Sequence, residues 1–449
     1  MVRALSVRRC ARVFALLAGL AAAPALLAQT GSFMTIPAEQ GFDYAVVQDI
    51  SADGQFALVS LQNSTQRPFP LISYILNLQT GGKTYLNGPN GEDLNALAIN
   101  YNGTTVVGTL GGGPLQGSAA FVWHNGEINV IGGLGTGEIN YATGVSDTDP
   151  AVVVGVTTTA FGDGYSQGWK WTEPDGFTAL DDIGNDVLTF SSVQGVSASG
   201  TVIVGSGTIG DFDPDTDDFM YGAVWDNSIV PTNIGNLPNP FNVGSEGWAA
   251  SANGDAVVGF GGGTSSTGAY ANRAFRYIRG GGIENLGELP GHPEASIYAL
   301  DCDTAAFTVV GYSVSGGPST WNAVTWNEID GWRTLRDQLA ARGVTYPADL
   351  ALRETFCSDG GDVLGGWAYN TTTQKYVGYV ATLPYIPPCS ADFNQDGVAD
   401  QGDLDYLIDI IAGAPNIHDA NPDFNRDGVA DQGDVDAAIN VVAGGDCVY

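Results

Sequence analysis

One short element recurs seven times along the middle of this chain. It is a turn of small and acidic residues, followed by a β-branched run that closes on Gly or, in the first copy, Ser. The copies run 50–60, 99–108, 145–155, 196–205, 250–259, 300–311 and 356–365, and their last residues are spaced 48, 47, 50, 54, 52 and 54 apart. Self-similarity at a fixed period marks an architecture in which one supersecondary unit is repeated. A period near 50 fits one four-stranded propeller blade, whereas parallel solenoids use shorter repeats.

The remainder of each unit agrees. An aromatic-bearing strand follows each turn element, as in Phe121-Val122-Trp123, Trp169-Lys170-Trp171, Ala223-Val224-Trp225, Phe275-Arg276-Tyr277 and Val324-Thr325-Trp326. Alternating apolar positions make these half-buried strands. A further strand ends in Ile or Leu and Gly, as in Val130-Ile131-Gly132 and Asn233-Ile234-Gly235. Phe33-Met34-Thr35-Ile36-Pro37 reads as a fourth strand with no unit before it, and Tyr376 to Leu383 as a third strand with no fourth after it. The N-terminal strand is therefore expected to complete the last blade, which removes a free sheet edge. The expected fold is an all-β propeller of seven four-stranded blades over residues 29–383, with a six- or eight-bladed ring as the alternative count.

The repeat resembles the HAF-repeat family of extracellular proteins. The match is carried by Val196 to Gly205 (VSASGTVIVG), by Arg273-Ala274-Phe275-Arg276-Tyr277 and by Asn285-Leu286-Gly287-Glu288-Leu289-Pro290-Gly291. The resemblance covers most of residues 40–380. It implies secretion and brings no catalytic residues with it.

Export is expected on independent grounds. Arg3, Arg8, Arg9 and Arg12 precede an apolar run from Val13 to Ala28, the pattern of a signal peptide cut near Ala28 (residues 1–28). The run is too short for a membrane helix, and none is expected later. The chain carries 49 acidic and 16 basic side chains, a net charge of −33. That excess argues against nucleic acid and anionic membranes as partners, since both require Lys and Arg.

Composition changes at the Pro-rich linker 384–388. Residues 389–449 hold 13 Asp, no Glu, no Lys and one Arg. Two matched loops account for the Asp. In the first, oxygen ligands fall at Asp392, Asn394, Asp396, Asp400 and Asp403, with the Val398 carbonyl between them. In the second they fall at Asp423, Asn425, Asp427, Asp431 and Asp434, with the Val429 carbonyl. Gly397 and Gly428 sit at loop position 6. This is the spacing of an EF-hand calcium loop, with Asp in place of Glu at position 12. Clustered carboxylates repel one another unless a hard cation neutralises them. Two Ca²⁺ sites are expected.

Each loop leads into one amphipathic helix. Leu404, Leu407, Ile408 and Ile411 share a face, as do Val435, Ala438, Ile439 and Val442. The arrangement resembles a dockerin type I domain, built from two loop–helix halves. The resemblance implies docking to an extracellular or cell-surface protein such as a cohesin-like receptor. Gln401-Gly402 and Gln432-Gly433 occupy the positions from which dockerins contact cohesins.

Five Cys occur, and Cys10 lies in the signal region. The remaining four suggest disulfides in an exported chain, with Cys302–Cys357 stapling adjacent blades and Cys389–Cys447 clasping the C-terminal module. Catalytic residues cannot be assigned: the three His form no metal or nucleophile motif, and no phosphate loop is present. Asp211, Asp213, Asp215, Asp217 and Asp218 form an acidic insertion that reads as a solvated loop or a surface Ca²⁺ site. Acids outside the repeated turn are the better candidates for function. The expected function is a secreted calcium-binding adhesion or scaffold protein, its propeller a binding platform for a ligand such as a glycan. The alternative is a polysaccharide-degrading or carbohydrate-binding component of a cellulosome-like system.

Overall fold

The computed structural model describes residues 31–383 and 391–443, apart from 66–70, 90, 92, 111–117, 135–138, 159–165, 184–190, 209–219, 316–320, 329, 395–397, 417–419, 421, 423 and 425–429. The repeats fold as seven antiparallel blades. Blades 1 to 6 span residues 44–86, 94–132, 139–179, 191–235, 243–285 and 296–334. Blade 7 takes three strands from 350–382 and its fourth from the N-terminus. Strand Ser32–Ile36 pairs antiparallel with Lys375–Thr382, from Ser32 opposite Thr382 to Ile36 opposite Gly378. Blade 7 also touches the innermost strand of blade 1 through one parallel bridge, Tyr44 to Tyr376.

The core is divided among the junctions between blades. Seven apolar clusters lie one at each junction, for example Val154, Val156, Val193, Ile203, Ala223 and Trp225 between blades 3 and 4. The other six junctions follow suit. The repeated aromatics supply their bulk: Phe121, Trp169, Trp225 and Phe275 are wholly buried. Each buried aromatic contributes on the order of 2–3 kcal/mol of apolar transfer energy. The connection from blade 6 to blade 7 carries a short helix, α1 (Leu335–Ala341), which the sequence reading did not anticipate. Thr334 caps it, and Leu335 and Leu339 bury its apolar side against blades 6 and 7.

The C-terminal module contains two helices, α2 (Gln401–Ile411) and α3 (Gln432–Val442), packed on each other. Leu404, Leu407, Val435 and Ala438 are buried between them, together with Phe393 and Phe424. Those two rings meet edge-on at 5.2 Å. Ile408 and Ile439, expected on the buried faces, are instead 45% and 47% exposed. The two helices cover only a narrow stripe of each other.

Candidate functional site

The repeated turn builds one end of the central channel. Its first residue is Ser51, Asn100, Ser146, Ser197, Ser251, Asp303 or Ser358, each buried. Each side-chain oxygen accepts the backbone N–H that starts the next strand, at 2.8–3.3 Å. Small polar residues suit this role because they bond locally to the backbone. The next residues tie the blades together around the channel. Asp53 N donates to the Tyr101 carbonyl, Asp147 N to Ala198, Ala198 N to Ala252, Thr304 N to Asp359 and Asp359 N to Ala52. Tyr101 N donates to the Asp147 carboxylate.

Every innermost strand also carries a β-bulge that skips one residue: Gln48, Leu97, Thr143, Gln194, Trp248, Leu300 or Arg353. In blades 1 to 6 the bulge lies three residues before the turn; in blade 7 it lies five before. A bulge bends and twists a strand. Beyond it, the channel mouth holds a cavity of about 330 Å³, whose wall mixes small residues such as Ala98, Gly144 and Ala249 with the acids Asp49, Asp147, Asp301 and Asp359.

Two carboxylates outside the repeated turn face this cavity. Asp49 accepts the N–H of Ile50 and of Ile99 in the next blade. Asp301 accepts the N–H of Cys302 and of Cys357 in the next blade. Both are therefore ties between neighbouring blades. Removal from water raises the Asp301 carboxyl to about 7, against the opposing effect of its two N–H partners. Burial likewise holds Asp49 well above the usual carboxylate range, with the Asp301 charge adding to it. Asp359 is raised to about 6, again by burial first and then by Asp147 and Asp303. Acids raised in the folded state stabilise it below their unfolded value, and that stability is lost as pH climbs through the folded value. The contribution of these acids to the ring should be full below about pH 4 and should fall progressively until about pH 7. The variant Asp301→Asn should flatten the profile of denaturation midpoint against pH between about 4 and 7. An unchanged slope would refute this role for Asp301.

The expected Cys302–Cys357 staple is not formed; both thiols are free and buried. The physical reason is the repeat itself. Equivalent residues in successive blades point the same way around the ring. Cys302 accordingly packs into the cluster between blades 5 and 6, and Cys357 into the cluster between blades 6 and 7. Cys389, Cys447 and the acidic insertion Asp211 to Asp218 lie outside the described residues, as do the signal region and the linker. His124 serves a turn, with its ring between Thr105 and Asn125.

A second feature leaves the channel at Trp248. Its ring lies 5.8 Å from Phe260, which lies 4.7 Å from Tyr298 in the next blade. Tyr298 stacks on Tyr312 at 4.7 Å, and Tyr312 on Trp321 at 5.1 Å. Trp367 follows at 6.1 Å from Trp321, then Tyr376 at 5.3 Å and Tyr44 at 4.5 Å. This arc crosses three blade junctions, and all of its rings are half-buried. Polar groups flank it. Glu354 accepts the indole N–H of Trp367 at 3.2 Å, and Asn272 donates to the Tyr298 hydroxyl at 2.8 Å. Glu246 lies opposite Phe260 across the strand pair. Burial raises the carboxyls of both Glu246 and Glu354, and both acids raise Tyr312 behind the larger effect of its own burial.

In the C-terminal module the structure describes Asp392, Asn394, Val398, Asp400 and Asp403 of the first loop, and Asp431 and Asp434 of the second. Asp396, Asp423, Asn425, Asp427 and Val429 lie outside the described residues. Asp403 and Asp434 are wholly buried. Asp403 accepts the N–H of Asn394 at 2.9 Å and of Asp400 at 2.8 Å. Asp434 accepts the N–H of Asp431 at 2.7 Å. Asp400 and Asp431 in turn accept from Gly402 and Gly433, so each helix starts on the same capping box. Among the described residues no group of three or more His, Cys, Asp or Glu is gathered tightly enough to hold a metal. None of the described helices is long and apolar enough to cross a membrane.

No family model matches this chain, and no curated protein matches it. Solved β-propeller proteins are similar to it. The propeller domain of the Trilobed protease from Pyrococcus furiosus has 11% identity and a TM-score of 0.48, covering 77% of this chain and 99% of that one. Oligogalacturonate lyase from Vibrio parahaemolyticus has 13% identity and a TM-score of 0.49, covering 79% and 97%. TolB from Acinetobacter baumannii has 10% identity and a TM-score of 0.38, covering 73% and 80%. The strand topology itself defines the class, a closed propeller whose N-terminal strand completes the last blade.

Proposed function

We propose that this chain is an exported binding protein of the HAF-repeat kind, with a propeller that presents a ligand platform and a C-terminal module of the dockerin type I kind. The module holds two Ca²⁺ and docks the chain to an extracellular or cell-surface protein, a cohesin-like receptor being the model partner. The observation that carries this reading is the duplication of one local arrangement. In each half a wholly buried Asp at loop position 12 folds back onto its own loop, and the helix begins on the same cap.

The donor set supports a hard cation. Asp403 and Asp434 are wholly buried carboxylates, and the sequence of residues 389–449 carries 13 Asp against a single basic side chain, Arg426. Asp392, Asn394, Asp396, Asp400 and Asp403, with the Val398 carbonyl, would hold the first ion. Asp423, Asn425, Asp427, Asp431 and Asp434, with the Val429 carbonyl, would hold the second. All these ligand atoms are oxygen, which suits Ca²⁺. The ion would supply charge neutralisation, and its binding energy would add to folding energy.

The test is calorimetric titration of Ca²⁺ into the metal-stripped full chain. Two ions per chain are expected, falling to one in Asp403→Asn and in Asp434→Asn. At a thousandfold excess over Kd, each bound Ca²⁺ should stabilise the module by about 4 kcal/mol. A chain that takes up no Ca²⁺, and melts alike in calcium and in chelator, refutes the proposal.

A further inference from the structure

The residue that follows the repeat glycine, or Val59 at that position in blade 1, divides the seven blades into two groups. It is Ser60, Thr109, Val156 and Ser206 in blades 1 to 4, and Phe260, Tyr312 and Trp367 in blades 5 to 7. The four small residues are buried. Ser60 bonds to Ser73 within its own blade, and Thr109 to the Asn140 carbonyl of the next. The blade therefore closes with a small residue at this position, and packing does not require a ring there. The three large rings extend beyond that need and join Tyr298, Trp321, Tyr376 and Tyr44 into the half-buried arc. The arc is not a by-product of the repeat, since it breaks the repeat on one side of the ring only.

We propose that the aromatic arc on blades 5, 6, 7 and 1 is a binding track for an extended neutral polysaccharide. The inference rests on the reading of the propeller as a binding platform and names its ligand class. Three observations select that class. First, the arc is a continuous band across three blade junctions, which matches a linear polymer better than a single small molecule. Second, aromatic faces attract the polarised C–H groups on a sugar ring, while its hydroxyls need hydrogen-bond partners nearby. Glu354, Glu246, Asn272 and the tyrosine hydroxyls stand beside the rings to supply them. Third, two carboxylates at the arc and a net charge of −33 repel a polyuronate or sulfated chain. A peptide would find few main-chain partners on rings that cover the strands.

The test uses the full exported chain in 1 mM Ca²⁺, titrated with hexasaccharides of β-1,4-glucan, xylan and mannan. Polygalacturonate and a proline-rich peptide are the comparison probes. At least one neutral hexasaccharide should bind and change the fluorescence of the arc tryptophans. Tyr312→Ser and Trp367→Ser restore what blades 1 to 4 carry, so both variants should fold. Each should weaken binding at least tenfold, and Trp367→Phe should retain most of it. Binding should persist in chelator, because the arc lies in the propeller. The inference fails if no neutral glycan binds, if polygalacturonate or the peptide binds in its place, or if Tyr312→Ser and Trp367→Ser bind as the parent does. Failure here with two Ca²⁺ taken up leaves the docking reading standing. Glycan binding without Ca²⁺ uptake is the reverse outcome.

Discussion

An exported chain that starts at residue 38 rather than 29 will lose its closed ring, with an expected loss of about 5 kcal/mol or more. The missing strand Ser32–Ile36 contributes five paired positions to the last blade. Ile36 is buried in the junction between blades 7 and 1. Phe33 packs on Tyr379 at 5.5 Å and on Tyr346 at 5.3 Å. Burial of these two side chains accounts for roughly 3–5 kcal/mol. Their loss also bares the edge of Lys375–Thr382, an open template for a foreign strand. Among the described residues the other strand pairing between blades 7 and 1 is the bridge from Tyr44 to Tyr376, which leaves the seam to its apolar cluster and the bond from Asp359 N to the Ala52 carbonyl. The shortened chain should unfold at lower denaturant and elute as larger species. A peptide of residues 31–37 added in trans should restore part of the midpoint by strand addition. Equal midpoints for the two chains would show that the closure is dispensable.

That closure was legible because strand type is written in composition. A lone fourth strand at the start and a missing one at the end leave one solution. The blade count was legible because each turn needs a small polar residue and six of the seven following strands carry a glycine. Register at the ring's seam was less legible. The sequence copies end at Ser60 and Gly365, but the structural equivalents of the other glycines are Val59 and Gly366. Gly365 and Gly366 are adjacent, and the bulge of blade 7 sits two residues earlier than its counterparts. The bulges themselves could not be read, since Gln48, Leu97, Thr143, Gln194, Trp248, Leu300 and Arg353 share no chemistry.

The candidate site was partly visible. The rule that acids outside the repeated turn deserve notice does pick out Asp49, Asp301, Glu246 and Glu354. The structure then separates them: the first two tie blades together, and the last two flank the rings. The arc itself could have been found by aligning the seven copies and asking where small residues give way to aromatics. It is masked by the aromatics of the third strands, such as Trp169 and Trp225, which are wholly buried core. Helix α1 carried a capping signal in Thr334 and Asp337, yet it interrupts a repeat that otherwise accounts for every element. Ile408 and Ile439 fit the apolar spacing of their helices, but spacing gives a stripe and not its width.

The repeat glycine itself sets the second large expectation. In blades 2 to 7 this position is Gly108, Gly155, Gly205, Gly259, Gly311 and Gly366. A Cβ at any of them would stand 1.9–2.0 Å from a carbonyl oxygen of the innermost strand. For Gly205 that oxygen belongs to Ser192, two residues before the bulge at Gln194. A backbone oxygen cannot rotate away as a side chain can, so the strand pair must separate or the bulge must shift. Gly205→Ala should therefore cost about 3 kcal/mol or more, at the upper end of what overpacking does. The comparison variant is Gly81→Ala. There φ is +71° and a Cβ meets nothing within 4 Å, so only the backbone conformation is strained, at roughly 1 kcal/mol. Both substitutions reduce the freedom of the unfolded chain alike, so their difference isolates the clash. Blade 1 carries Val59 at this position, so the close approach is a property of six strand pairs and not of every blade. If equilibrium denaturation places Gly205→Ala no lower than Gly81→Ala, the innermost strands yield more easily than their hydrogen-bonded ring implies.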